Sequence, residues 1–211
     1  MAIRERDLKS SLKFGKLYTH EEYMNLDYGD GIPRLELIDG EIYFMAAPNR
    51  EHQEIAGNLH GTIWNFLKGK KCQVFAAPFA VNLGKGKGHD TTVQPDLVVV
   101  CDPNKLDKKG CNGAPDIVIE ILSPSTAKLD VGIKQKKYQD AGVLEYWIIS
   151  PDMRTVQQYT LKDGLYFANS YTGEYVVTSN VLEGLEIPWS DIFPPEEIEQ
   201  TEDEINQQEE I

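Results

Sequence analysis

Pro115-Asp116-Ile117-Val118-Ile119-Glu120-Ile121-Leu122, running into Ser123-Pro124-Ser125-Thr126, is the stretch on which the fold turns. Its first half is a continuous β-branched run, the pattern of a strand buried on both faces. A helix is expected from the Ser-Pro-Ser-Thr turn to about Ala141, where Gly142 supplies a C-terminal stop. Glu145-Tyr146-Trp147-Ile148-Ile149 then reads as another strand. Strand, helix, strand in this order implies a right-handed crossover between parallel strands, and so a sheet covered by helices.

Upstream, Pro95-Asp96-Leu97-Val98-Val99-Val100 is a second apolar strand. Before it lies Gln73 to Leu83, a strand-like run interrupted at Pro78, which suggests an edge strand or a bulge. A helix is predicted from about Arg50 to Lys68, because Ile55, Leu59, Ile63 and Phe66/Leu67 form one apolar stripe. Leu35–Ile38, Asp39-Gly40 and Glu41–Met45 spell a hairpin whose Asp-Gly pair suits a type I′ turn. Thr19 is a candidate N-cap for a short helix through Tyr23 and Leu26. Downstream, Tyr-rich segments from Gln157 to Tyr175, with turns at Asp163-Gly164 and Thr172-Gly173, read as a closing hairpin, and Asn104 to Gly113 reads as loop. The fold class is α/β with a mixed sheet, its core elements ordered helix, three strands, helix, strand, and no internal repeat is present.

The 211 residues suit one domain, taken as 1–193, followed by a tail. Net charge is −13, and Pro194 to Ile211 supplies −8 of it with no Lys or Arg, leaving −5 for the domain. That tail reads as solvated. A domain at −5 is no general coat for DNA, so nucleic-acid contact must come from local lysines. No apolar run approaches the roughly 20 residues needed to cross a bilayer, and the charged stretch Met1 to Phe14 lacks a signal core. Cys72, Cys101 and Cys111 are odd in number and form no C-x-x-C pair, so they are expected as reduced thiols in a cytoplasmic protein.

Two strands carry an acid inside an apolar run, Asp96 and Glu120. Burying a carboxylate costs several kcal/mol unless it is paired or binds a metal. A salt bridge to a lysine of the following helix would satisfy Glu120; so would a cation shared with Asp96, if the register of the two strands agrees. Asp116 lies too far along the strand to share that cation. Because the helix runs back beside the strand, Lys134 falls near the level of Glu120, with Tyr138 and Asp130 one turn away on the same face. The competing reading makes Lys134, Lys136 and Lys137 a solvated charge face.

These residues carry a resemblance. Glu36-Leu37-Ile38-Asp39-Gly40-Glu41, the segment Pro48 to His52, Gln94-Pro95-Asp96, and Glu120-Ile121-Leu122-Ser123-Pro124-Ser125-Thr126 with Asp130, Lys134 and Tyr138 closely resemble the Uma-two family of restriction endonuclease-like proteins, within the PD-(D/E)XK nuclease superfamily. The resemblance spans roughly Glu22 to Pro151. It implies a restriction endonuclease-like α-β-β-β-α-β core, here with an N-terminal hairpin and a C-terminal β extension. It assigns Asp96 and Glu120 as ligands of Mg²⁺, with Mn²⁺ as a substitute, and Glu36 as a further acid. Leu122 stands where the motif expects lysine, and the resemblance implies a lysine displaced onto the next helix, where Lys134 matches. Hydrolysis of DNA phosphodiesters, in preference to RNA, is the implied activity.

His52 opens a helix and matches the family's histidine, which implies contact with phosphate or the ordering of Glu36; helix-terminal packing would explain it equally. Tyr138 and the lysines Lys85 and Lys87 of the Gly84–His89 loop are the other candidate substrate contacts. That loop is not a P-loop, for it lacks G-x-x-x-x-G-K-[ST]. No zinc spacing and no serine nucleophile elbow occur. The aromatic Tyr159–Tyr175 region and the strand broken at Pro78 offer surfaces for a homodimer. Two functions remain open: a metal-dependent nuclease, and a nuclease-fold interaction module without catalysis.

Overall fold

The computed structural model describes residues 12, 15–26, 35–85, 88–123, 127, 129–173 and 175–193. Its elements run α1 (His20–Met24), β1 (Leu35–Ile38), β2 (Glu41–Phe44), α2 (Arg50–Leu67), β3 (Gln73–Ala76), β4 (Ala80–Lys85), β5 (Asp90–Val93), β6 (Leu97–Val100), β7 (Gly110–Asn112) and β8 (Ile117–Ile121). A π-helical segment (Leu129–Lys134) leads into α3 (Gln135–Ala141), followed by β9 (Glu145–Ser150), β10 (Thr155–Lys162), β11 (Leu165–Thr172), β12 (Val176–Thr178), β13 (Glu186–Pro188) and α4 (Trp189–Ile192). One sheet has the order β11-β10-β9-β8-β6-β3 and a second β2-β1-β5-β4-β7, with β12 and β13 paired separately.

β8 and β9 are parallel, as the crossover through α3 requires, and β6 is antiparallel to β8. The expected helix, three strands, helix, strand order is thus α2-β3-β6-β8-α3-β9, the core of a restriction endonuclease-like fold. Side chains alternate across this sheet with period two. Leu97, Val99, Ile117, Ile119, Ile121, Trp147 and Ile149 pack on the α2 stripe of Ile55, Leu59, Ile63 and Leu67, where each buried aliphatic contributes about 1.5–3 kcal/mol. Val98, Val100, Val118, Tyr146 and Ile148 face the other way, onto Tyr138, Val143 and the second sheet's Ile38, Val81 and Val93. Glu120 belongs by parity to this second face. Gly142, at φ 90°, ends α3 by donating its N–H to the carbonyls of Tyr138 and Gln139. Asp39 and Gly40 take φ 51° and 83°, the type I′ geometry expected of the β1–β2 hairpin, and Asp163-Gly164 does the same between β10 and β11.

Three expectations need correction, and one further pair of strands was not anticipated. The run Gln73–Leu83 is two strands in different sheets, since the chain leaves β3 at Ala77-Pro78 to start β4. Residues 104–113 are not all loop: β7 pairs in parallel with β4, and the approach is so close that a Cβ on Gly110 would lie 2.0 Å from the Ala80 carbonyl oxygen. A further pair, β12 and β13, and α4 close over the α2 side of the core. Lastly, Cys72 and Cys101 are disulfide-bonded. Gln73 opposes Val100 in the β3–β6 ladder, so the next residue out on each strand faces its partner directly, with Cα atoms 3.9 Å apart. The cysteines therefore no longer argue for a reducing compartment. Cys111 alone matches the expectation, a buried free thiol whose pKa burial pushes up to about 11. No helix among the described residues is long and apolar enough to cross a membrane.

Candidate active site

β6 and β8 set the geometry. Leu97 opposes Ile119 and Val98 opposes Val118, so Asp96, one residue before β6, lies beside the Glu120–Ile121 end of β8. Asp96 Oδ2 accepts the Ile121 N–H at 2.9 Å and lies 3.1 Å from His52 Nε2, which donates to it when that nitrogen carries the proton. Asn49 caps α2 by accepting the His52 N–H, which fixes the helix start from which the imidazole reaches the sheet.

Lys134 sits at the centre of the site. Its ammonium lies 2.9 Å from Glu120 Oε1, 2.9 Å from Glu36 Oε1 and 3.1 Å from Asp130 Oδ1. All four side chains are at most 2% exposed. Three elements converge to make this contact: β8 brings Glu120, β1 brings Glu36, and the π-helical turn before α3 brings Asp130 and Lys134 together at i and i+4. Tyr138, one turn on, donates its hydroxyl to Glu120 Oε1 at 2.7 Å. Glu36 Oε1 also accepts the Gln94 N–H, and the Gln94 amide donates to the Tyr23 hydroxyl and the Leu35 carbonyl. Gln94 is a supporting residue that the motif Gln94-Pro95-Asp96 contained but the sequence reading did not use.

The neighbouring lysines behave differently. Lys136 is exposed and pairs with Asp140, while Lys137 bridges to Asp39 in the β1–β2 turn. The solvated charge face is thus confined to Lys136 and its surroundings. Two candidate substrate contacts are also placed elsewhere than expected: Tyr138 is fully buried with its hydroxyl on Glu120, and His52 holds Asp96, not Glu36. Lys85 ends β4, and Lys87 lies outside the described residues.

Charge in this pocket is unbalanced. Burial alone would pull the Lys134 pKa down, but Glu120, Glu36 and Asp130 outweigh it and hold the ammonium well above the ordinary lysine value. The deficit falls on Glu120. Its pKa is pushed up to about 8, chiefly by burial; Lys134 partly offsets this, and Asp130, Asp96 and Glu36 add to it. Burial and the nearby Glu120 push Tyr138 well above the usual phenol value, so it remains a donor.

A metal ion is the natural complement to such an excess of acid. The donors Asp96, Glu120 and Glu36 are all carboxylate oxygens, the hard ligands that Mg²⁺ and Mn²⁺ take. Glu36 Oε2 is buried with no hydrogen-bond partner. Asp130 Oδ1 likewise makes no aligned hydrogen bond, although it lies within ion-pair distance of Lys134. In donor chemistry and in charge the residues fit a divalent cation. Among the described residues no three His, Cys, Asp or Glu side chains form a finished cage, because the acids converge on the Lys134 ammonium.

A second buried carboxylate went unread. Glu145 opens β9 and is fully buried, and among the described residues it pairs with no cation. Its oxygens accept from Trp147 Nε1 and Gln158 Nε2 at 2.5 Å each, from Ser179 Oγ at 2.9 Å, and from the Asn180 and Val181 N–H groups at 3.0 Å. Three of these donors, from Ser179, Asn180 and Val181, anchor the segment after β12 on the core. The signal was weaker than the one that singled out Glu120, since Glu145 stands at the edge of its apolar run and not inside it.

Comparison with known proteins agrees with this architecture. Residues 20–190 match the model of the family Uma2, described as "Putative restriction endonuclease". An uncharacterized protein of Synechocystis sp. is 28% identical over 154 residues, covering 72% of this chain and 78% of that protein. Among solved structures, a "putative nuclease belonging to DUF820" from Anabaena variabilis superposes with a TM-score of 0.68 at 23% identity, over 83% of this chain and 97% of that one.

Proposed function

The chain belongs to the Uma2 family, and from that premise we propose that it is a divalent-cation-dependent nuclease hydrolysing phosphodiester bonds, with DNA as substrate. The observation that supports this reading is the buried Lys134–Glu120 pair, where three acids share one ammonium and Asp96 lies close by, an excess of buried negative charge that a cation would offset. Asp96 and Glu120 would hold Mg²⁺ or Mn²⁺, with Glu36 in reserve. Such a cation supplies Lewis-acid charge to a phosphoryl group.

The chain's own residues do the rest. His52 and the Ile121 N–H fix one oxygen of Asp96, so the carboxylate is oriented before anything binds. Tyr138 and Lys134 both donate to Glu120 Oε1, which holds that carboxylate in one rotamer. Lys134 stays protonated and offers a fixed positive charge against the negative charge that develops on phosphate during displacement. This is the role the motif's own lysine would play from position 122. The lysine-bearing loop at 84–89 would meet the nucleic-acid backbone, a local exception to the acidic surface.

Complete burial of the charged cluster favours a second reading: a nuclease-fold interaction module in which Lys134 only neutralises its acids. One experiment separates the two. Supercoiled and linear duplex DNA, single-stranded DNA and RNA are incubated with the protein and Mg²⁺, Mn²⁺ or a chelator. Cation-dependent cutting that favours DNA supports the nuclease. No cutting of any substrate, with Mn²⁺ binding also absent by calorimetry, supports the module.

A further inference from the structure

Edge strands are where sheets recruit partners, since one row of backbone N–H and C=O groups is left unpaired. Among the described residues the two larger sheets end at β2, β7, β3 and β11. The first three have four residues or fewer, and β2 carries Glu41. β11 differs in length and chemistry. It runs for eight residues, Leu165-Tyr166-Phe167-Ala168-Asn169-Ser170-Tyr171-Thr172, paired to β10 in unbroken register from Lys162↔Leu165 to Thr155↔Thr172. It carries no proline, no charged side chain and no bulge, and only at Tyr166 does another part of the fold, Gln139 of α3, reach its outer edge among the described residues. Two large apolar side chains on it are also exposed, Leu165 at 60% and Phe167 at 56%.

We propose that β11 is a homodimer interface, pairing antiparallel with β11 of a second copy across a two-fold axis so that the six-stranded sheet continues through both molecules. Charge selects the partner. The chain is at −13, so two copies repel over most of their surface and can meet closely only where that surface is neutral. From Leu165 to Gly173 no residue is charged. Antiparallel self-pairing also matches strand length to strand length by construction, as an isologous contact requires. The backbone ladder would supply register, and Leu165 and Phe167 would supply the buried side-chain area. Tyr166 donates its hydroxyl to the Val143 carbonyl and its outward-facing N–H to Gln139 Oε1 of α3, so a partner ladder would run along β11 from Ala168 onward.

The test is the mass of the full-length protein by sedimentation and light scattering up to about 100 µM, since assembly is concentration-dependent. Two copies are expected for the wild type. Leu165→Lys with Phe167→Lys should raise the dimer dissociation constant by about 30-fold or more, because an anchor is lost and like charges meet across the axis. Both side chains are exposed, so the variant should keep its unfolding midpoint. A spin label at Asn169→Cys, on an otherwise unchanged chain, should report a partner label within about 20 Å, as expected near the axis of an antiparallel pair. A wild type that remains monomeric overturns the proposal. So does a dimer that survives both lysines, or one in which the Asn169 labels are too far apart to couple.

Discussion

Replacing Lys134 with Met removes the one ammonium from among Glu36, Glu120 and Asp130 while keeping the side chain's length. Three buried ion pairs at 2.9, 2.9 and 3.1 Å are lost together. Stripping one partner from a buried pair costs about 3–5 kcal/mol, because the charge left behind is uncompensated. Lys134→Met should therefore be at least that much less stable at pH 8, a large share of the roughly 5–15 kcal/mol that folds a typical domain. The penalty must depend on pH. Without the ammonium that partly offsets its burial, Glu120 holds its proton still more tightly in the native state than in the unfolded one, so the variant gains stability as pH falls. Urea unfolding at pH 5.5, 7 and 8.5 reads this directly. Adding Glu120→Gln to Lys134→Met should restore about 1–3 kcal/mol, since one uncompensated charge is removed. A Lys134→Met protein within about 1 kcal/mol of wild type at pH 8, or a penalty that does not shrink in acid, would refute the ion cluster.

Glu120→Gln alone tests the raised acid. Native Glu120 holds its proton up to about pH 8 while the unfolded carboxyl, near the ordinary 4.5, releases it. Wild-type stability should therefore fall relative to the Gln variant as pH rises from 5 to 8, and denaturation curves with a constant gap would contradict this. Mn²⁺ must compete with the same proton, so calorimetry should show affinity rising from pH 6 to 8 with proton release, and Asp96→Asn should weaken binding about 10-fold or more. Unchanged affinity in that variant would remove Asp96 from the site. Glu145→Ala should cost about 3–5 kcal/mol by leaving its buried donors unpaired, with faster hydrogen exchange from Val177 to Leu185; slow exchange there would mean the extension is anchored otherwise.

Local chemistry made much of this legible. The β-branched runs at Leu97–Val100 and Ile117–Ile121, the Gly142 stop and the two Asp-Gly turns each fix backbone geometry within a few residues, and all appear as read. Helix rise and strand rise put Lys134 near the level of Glu120 but left the solvated charge face open, and the resemblance chose between them. What failed were features created by distant contacts. β5 and β7 are short and exist because β1 and β4 lie beside them; nothing in Gly110-Cys111-Asn112 announces a strand. The Cys72–Cys101 bond follows from a register that joins residues 29 apart. Glu145 shows the limit of the rule that found the site, for an acid in an apolar run marks a buried carboxylate without saying whether lysine, metal or amides will satisfy it.

The most direct test of the Asp96–Glu120–Lys134 site is the rate of Mg²⁺-dependent DNA cleavage by wild type and Glu120→Gln, side by side, with both proteins shown to be folded. A nuclease centred on Glu120 requires the variant to be slower by roughly 100-fold or more, since the amide brings no charge to a cation. A Gln variant that cuts at the wild-type rate would show that the chemistry, wherever it lies, does not pass through this carboxylate.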